Sequence, residues 1–120
     1  MAIWDRLKGL VGGESNFISK TVAAAATMYI PDDMTVVNLT GTATVTSLNA
    51  AAFARGRMVF FRQSDTGVTT FTNTPGATTA GQMDLGAPDP SNIVLNNTDW
   101  LLLYLRSDGV WERVFGPTNN

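Results

Sequence analysis

From Thr35 onward the chain alternates apolar and polar residues with the period of two that marks β-strands. "TVVNLTG" is followed by "TATVTSL", in which Ala43, Val45 and Ser47 oppose Thr42, Thr44 and Thr46. After the small-residue stretch "NAAAFARG", "RMVFFRQ" predicts a core strand, then a turn at "SDTG" and a strand at "VTTFTN". "IVLNN", "DWLLLYLR" and "VWERVF" predict the last strands before the polar tail "GPTNN". Asp108-Gly109, between two strand-like runs, is a strong hairpin signal. "TPGATTAGQMDLGAPDPSN" is too long for a bare hairpin turn and predicts a loop. The pattern implies an all-β, jelly-roll-like β-sandwich of about seven or eight antiparallel strands.

Two of these strands are apolar on both sides. In the first, Val59 and Phe61 face one way, Met58 and Phe60 the other; in the second, Trp100, Leu102 and Tyr104 oppose Leu101, Leu103 and Leu105. Antiparallel sheets in small proteins usually leave one face to water. The surplus is therefore expected to meet a covering arm or, preferentially, a neighbouring subunit. Met58, Phe60, Leu101, Leu103, Leu105 and Trp111 are the residues expected at a subunit interface or in the core.

The N-terminal block has a different period. In "MAIWDRLKGLVGG", Ile3, Trp4, Leu7, Leu10 and Val11 recur at helical spacing, with Asp5, Arg6 and Lys8 on the remaining arc. So short an amphipathic segment needs a partner surface, either its own domain or another protein. "ESNFISKTVAAAATMYIPDD" mixes alanines with β-formers and predicts an extended arm that becomes a strand near Tyr29. The expected division is an arm over 1–28 and a β-sandwich knob over 29–120.

Composition narrows the chemistry. The 120 residues suit one domain. Only 15% are charged, and that shortage hints at surface hidden in contacts. A net charge of −2 offers no basic field for nucleic acid. Histidine and cysteine are absent, which removes the commonest general base, metal ligand and thiolate. No apolar run approaches the ~20 residues of a membrane span, and no secretory signal is present, so the chain is expected to be made in the cytoplasm. Asp65, Asp84, Asp89 and Asp108 lie beside Gly, Pro or Ser, where aspartates bond local backbone. Calcium in "MDLGAPDPSN" fits no EF-hand spacing. "GLVGG" lacks the lysine and preceding strand of a phosphate loop, and "RGR" is too short for a nucleic-acid patch. Neither an enzyme nor a cofactor is expected.

"GTATVTSLNAAAFARGRMVFFRQSDTGVTTFTN" together with "DWLLLYLRSDGVWERV" resembles a recurring module of tailed-phage virion proteins. That module is the trimeric jelly-roll knob of capsid decoration (cement) proteins and of tail-fibre tips. The matching features are Gly41-Thr42 before a threonine-rich strand, Gly56-Arg57 before "MVFF", and a final hairpin ending in Trp111-Glu112. The resemblance covers roughly Tyr29 to Phe115 and carries over no catalytic residue. It implies a homotrimer on the virion surface, bound to the major capsid protein. A chain starting at Met1 with a short arm suits a free-standing cement knob better than a fibre tip. Ile3, Trp4, Leu7, Leu10 and Val11 would then form the capsid-docking arm. The competing expectation is a receptor- or carbohydrate-binding module using Trp100, Tyr104 and Trp111.

Overall fold

Valine, threonine and aromatic residues stiffen the chain at χ1 and pack well on a pleated surface, so they favour extended backbone. The computed structural model describes residues 19–30, 35–51, 54–86 and 92–117. Among these residues there is no α-helix, and the strands are β1 (Ser19–Ala23), β2 (Thr27–Ile30), β3 (Val36–Thr40), β4 (Ala43–Val45), β5 (Ser47–Ala50), β6 (Met58–Gln63), β7 (Thr69–Phe71), β8 (Met83–Asp84), β9 (Ile93–Leu95), β10 (Trp100–Leu105) and β11 (Trp111–Phe115). The expected all-β class holds. Strands are more numerous than expected because "TATVTSL" breaks at Thr46 and the long loop contains β8. The extended segment ahead of Tyr29 is itself partly a strand: β1 pairs with β3, so the sheet takes in residues from Ser19 on.

The pairing differs from the antiparallel arrangement expected. β1 with β3, β3 with β6, β2 with β5, β4 with β7, and β8 with β11 all run parallel. Only β6–β10, β10–β11 and β7–β9 are antiparallel. The register explains why. Ser19 lies beside Val36 and Val36 beside Phe60, Thr27 beside Ser47, and Ala43 beside Thr69. The chain thus winds, and each turn lays its strands alongside those of the turn before. A parallel pair needs a crossover, which is usually a helix. Here strands of the other sheets serve as the crossover. Local alternation says nothing about whether a neighbour runs with or against a strand, so the sequence pattern left this undetermined.

The strands form a main sheet of order β1-β3-β6-β10-β11-β8, a pair β2-β5 and a triplet β4-β7-β9. All three sheets contribute to one core. Val37, Leu39, Val59, Phe61, Leu101, Leu103, Leu105 and Trp111 from the main sheet meet Met28, Ile30, Val45, Leu48, Phe71, Ile93 and Leu95 from the smaller ones. This is the layered packing of a β-sandwich. Phe61 sits edge-on to Phe71 (5.4 Å between ring centroids) and to Trp111 (6.2 Å). The Trp111 indole N–H donates to the Leu48 carbonyl at 2.8 Å, tying β11 to β5 across the core.

Polar groups fix the corners. Gln63 is fully buried; its amide donates to the Gly41 carbonyl at 3.1 Å and to Asp65 Oδ1 at 2.8 Å, and its carbonyl accepts from the Thr69 hydroxyl. Asp65 also accepts the Gly41 and Gly67 backbone N–H groups, each at 2.9 Å. These bonds hold its carboxyl below the usual range, the Gly41 N–H being the largest cause. Gly67 packs so closely on the Gly41 backbone that an added Cβ would lie 2.1 Å from the Gly41 carbonyl oxygen. Among the described residues no buried side-chain polar atom lacks a partner.

The final hairpin closes as its sequence predicts. Gly109 N–H donates to the Arg106 carbonyl at 3.0 Å, Arg106 N–H to the Val110 carbonyl at 2.9 Å, and Gly109 has φ +85°. Asp108 accepts from the Arg106 guanidinium and from Val110 N–H, and the Arg106 bond chiefly lowers its pKa.

Gly109→Val forces a β-branched residue into the left-handed region and against Ala80. It should cost about 1–3 kcal/mol, the range for local backbone strain; an unchanged urea midpoint would contradict the turn geometry. Asp65 and Asp108 have folded pKa values below those of the unfolded chain. Their contribution is therefore complete above the unfolded carboxylate value near ~3.9 and is lost as pH falls below it. Melting temperature should drop as pH falls below about 4, and Asp65→Asn should lower it at pH 7 while making it less sensitive to acid.

Candidate functional site

The second apolar side of the main sheet is built by register. Val36 pairs with Phe60, Phe60 with Leu102 and Leu102 with Phe115, so one row crosses β3, β6, β10 and β11, with Ser19 of β1 at its near end. Phe115 reaches this side through a bulge. Leu103 faces Arg113 while Leu102 faces Phe115, which leaves Val114 unpaired and reverses the alternation of β11.

Val36, Phe60 and Leu102 form a cluster separate from the main core, with the half-buried Met58 and Trp100 packed against it. Phe60 meets Trp100 edge-on at 5.7 Å and Phe115 at 5.9 Å, geometries that aromatic quadrupoles favour. Arg62, the Cα partner of Trp100, holds its guanidinium 5.5 Å from the Trp100 ring centroid, a cation–π contact. In a single chain Val36, Phe60 and Leu102 are only 2%, 2% and 4% exposed. Exposure rises at the far end, to 41% for Phe115 and 50% for Val114. The two-sided strands therefore do not by themselves require a second copy.

Beyond that end lies an open groove of about 410 Å³ lined by Asp84, Leu85, Gly86, Glu112, Arg113 and Val114. The parallel pairing of β8 with β11 sets Asp84 beside Glu112. Both carboxylates are engaged: Asp84 accepts the Gly76 N–H at 3.1 Å, and Glu112 accepts from Arg106 at 3.5 Å. Arg113 donates to the Gly86 carbonyl at 3.1 Å across the same groove. Among the described residues no three His, Cys, Asp or Glu side chains are grouped to hold a metal.

The sequence-expected site residues divide between the two sides of the sheet. Leu101, Leu103, Leu105 and Trp111 lie in the main core, Phe60 in the outer cluster and Met58 at its margin. Trp111 is 1% exposed with its N–H committed, so of the three aromatics considered for sugar binding only Trp100 and Tyr104 stay partly accessible. Ile3, Trp4, Leu7, Leu10 and Val11 lie outside the described residues, as does Asp89. Two features escaped the sequence reading. Val36 was visible in the continuous "VV" run, but the place of Phe115 depends on a bulge, and the Asp84–Glu112 pair depends on a parallel register between distant segments.

The chain matches no family model, no curated protein and no solved structure.

Phe60→Ala should remove both edge-on ring contacts and open the outer cluster. The expected loss is about 3–5 kcal/mol in urea denaturation, as for other buried aromatic truncations. A loss below about 1 kcal/mol would show that this face is not packed in solution.

Proposed function

We propose that this chain is a structural protein of a phage virion, a decoration protein that binds the major capsid protein on the outside of the shell as a homotrimer. The observation that carries this reading is the apolar outer side of the main sheet. It is built from β6, β10 and β11, the strands in which much of the resemblance to virion knobs resides, and it runs out to the exposed Val114 and Phe115. Apolar residues that reach the surface at the end of a packed row are suited to continue that packing onto another molecule. Closed symmetric association would bury them without propagating growth. The role needs no chemistry, which accords with a sequence free of His and Cys and with carboxylates occupied by backbone and arginine. Ile3, Trp4, Leu7, Leu10 and Val11 are the proposed docking residues on the arm.

A second reading is a tail-fibre tip or carbohydrate-binding module. The parallel winding favours it, because wound coils stack end to end along an axis. Trp100 beside Arg62, with Tyr104 on the same side, would offer the stacking surface.

Light scattering should give about three times the 12.9 kDa chain mass, and protein mixed with undecorated capsids should appear by electron microscopy as knobs on the shell. A monomer that binds no capsid but binds host-surface glycan would replace the first reading with the second.

A further inference from the structure

We propose that the solvent side of the β2–β5 pair is a binding platform for a carboxylate-bearing saccharide, with Tyr29 stacking on a sugar ring and Arg55 taking the carboxylate. The parallel register sets Thr27 beside Ser47 and Tyr29 beside Asn49, while Met28 and Leu48 between them turn into the core. The four outward side chains therefore share one side of the pair. Tyr29 is 58% exposed, more than any other large hydrophobic side chain among the described residues.

Two backbone bonds extend this surface past β5. Leu48 N–H donates to the Gly81 carbonyl at 2.9 Å, and Gly81 N–H donates to the Gly109 carbonyl at 3.0 Å. Both glycines are left-handed, with φ of +92° and +85°, and polar side chains lie directly against them. An added Cβ on Gly81 would come within 2.7 Å of Asn49 Oδ1, and one on Gly109 within 2.9 Å of Arg55 Nη2. With no Cβ beneath them, the amide and the guanidinium settle low on the backbone beside Tyr29. Both are held there. Asn49 Nδ2 donates to Ser47 Oγ at 3.1 Å, and Arg55 Nη1 donates to the Ser107 carbonyl at 3.0 Å. Groups already fixed lose little freedom when a ligand arrives.

The chemistry of this strip selects its ligand. A sugar ring has a face of C–H bonds and a rim of hydroxyls, which suits an exposed aromatic face beside an amide and hydroxyls. Arg55 spends one of its five N–H donors on Ser107, and among the described residues no carboxylate is paired with it. The neighbouring Asp108 carboxylate is turned to the Arg106 guanidinium and Val110 N–H. A ligand carboxylate is the group a guanidinium fork binds best. From Tyr29 to Gly109 the strip crosses three strand spacings, about 14 Å, and four residues of β2 run about 13 Å. The resulting area of about 180 Å² falls far short of the ~800 Å² a stable protein partner covers, but it accommodates a short oligosaccharide. A net charge of −2 disfavours nucleic acid.

This inference rests on the carbohydrate-binding reading and moves the contact from the Trp100 side of the main sheet to the smaller pair. The full-length protein should be applied to a glycan array carrying uronic- and sialic-acid-terminated oligosaccharides beside their neutral analogues. Acidic glycans should be retained at least about tenfold more strongly than neutral ones. Tyr29→Ala and Arg55→Ala should each lower that binding at least about tenfold, while Tyr29→Phe keeps it and the melting temperature of all three stays at the wild-type value. Glycan binding that survives both alanine variants and is lost in Tyr104→Ala would overturn the platform and leave the carbohydrate reading standing at the other site. Equal binding of neutral glycans would overturn the role of Arg55. No binding to any glycan would overturn this inference and the carbohydrate reading together.

Discussion

The buried amide of Gln63 ties its own corner, from Gln63 to Thr69, to the corner around Gly41, distant in sequence. It donates to the Gly41 carbonyl from one turn of the winding and accepts the Thr69 hydroxyl from the next, while Asp65 beside it collects the N–H groups of Gly41 and Gly67. A buried amide left without partners costs about 1–3 kcal/mol, more than the ~0.5–1.5 kcal/mol a satisfied bond contributes, so this stacking of the corners is favoured over ones that strand the amide. That stacking sets β4 beside β7 and helps set β3 beside β6. The parallel registers of these two pairs, and with them the placing of Val36 beside Phe60, accord with this corner. Gly67 is part of the same constraint, since the two turns could not approach so closely around a Cβ.

The middle of the main sheet is covered on both sides, and its strands are correspondingly apolar. β6 and β10 have the same burial pattern, in which only the first and fifth residues are half-open. One side feeds the core shared by all three sheets; the other forms the Val36, Phe60, Leu102 cluster. Continuous apolar runs are the usual mark of strands buried on both faces, and parallel sheets are where such strands are commonest. "MVFF" and "WLLLYL" were thus legible as doubly covered strands. What they did not disclose is the source of the cover, because a run of apolar residues looks the same whether its second partner is a subunit, another layer or the chain's own end.

Strand positions, turn glycines and most of the core were also legible. Alternation and turn chemistry place β6, β7, β9, β10 and β11, and Asp108-Gly109 makes the turn its composition predicts. The failures share a cause. β1 lies in an alanine-rich segment whose extended state depends on pairing with β3, and β8 is two residues long and depends on β11. Direction of pairing, the bulge that turns Phe115 outward and the meeting of Asp84 with Glu112 are likewise long-range facts. Local propensity does not carry them.

A winding of this kind has an open beginning. β1 is the first strand of the main sheet and β2 lies at the edge of its pair, so each presents one side of its backbone beyond the sheet. Edges of this sort template further pairing unless something blunts them. β1 is blunted by being short, exposed and polar at "SKT", and Asn38 reaches from β3 to hydrogen-bond Ser19 at 2.7 Å, occupying its hydroxyl. β2 keeps Met28 and Ile30 inside and turns Tyr29, 58% exposed, to the solvent side. At the opposite edge of the main sheet the antiparallel β10–β11 hairpin reverses the chain, and the two-residue β8, paired parallel to β11, is the last strand. Among the described residues, both edges of the main sheet are therefore short strands, one polar and exposed, the other two residues long.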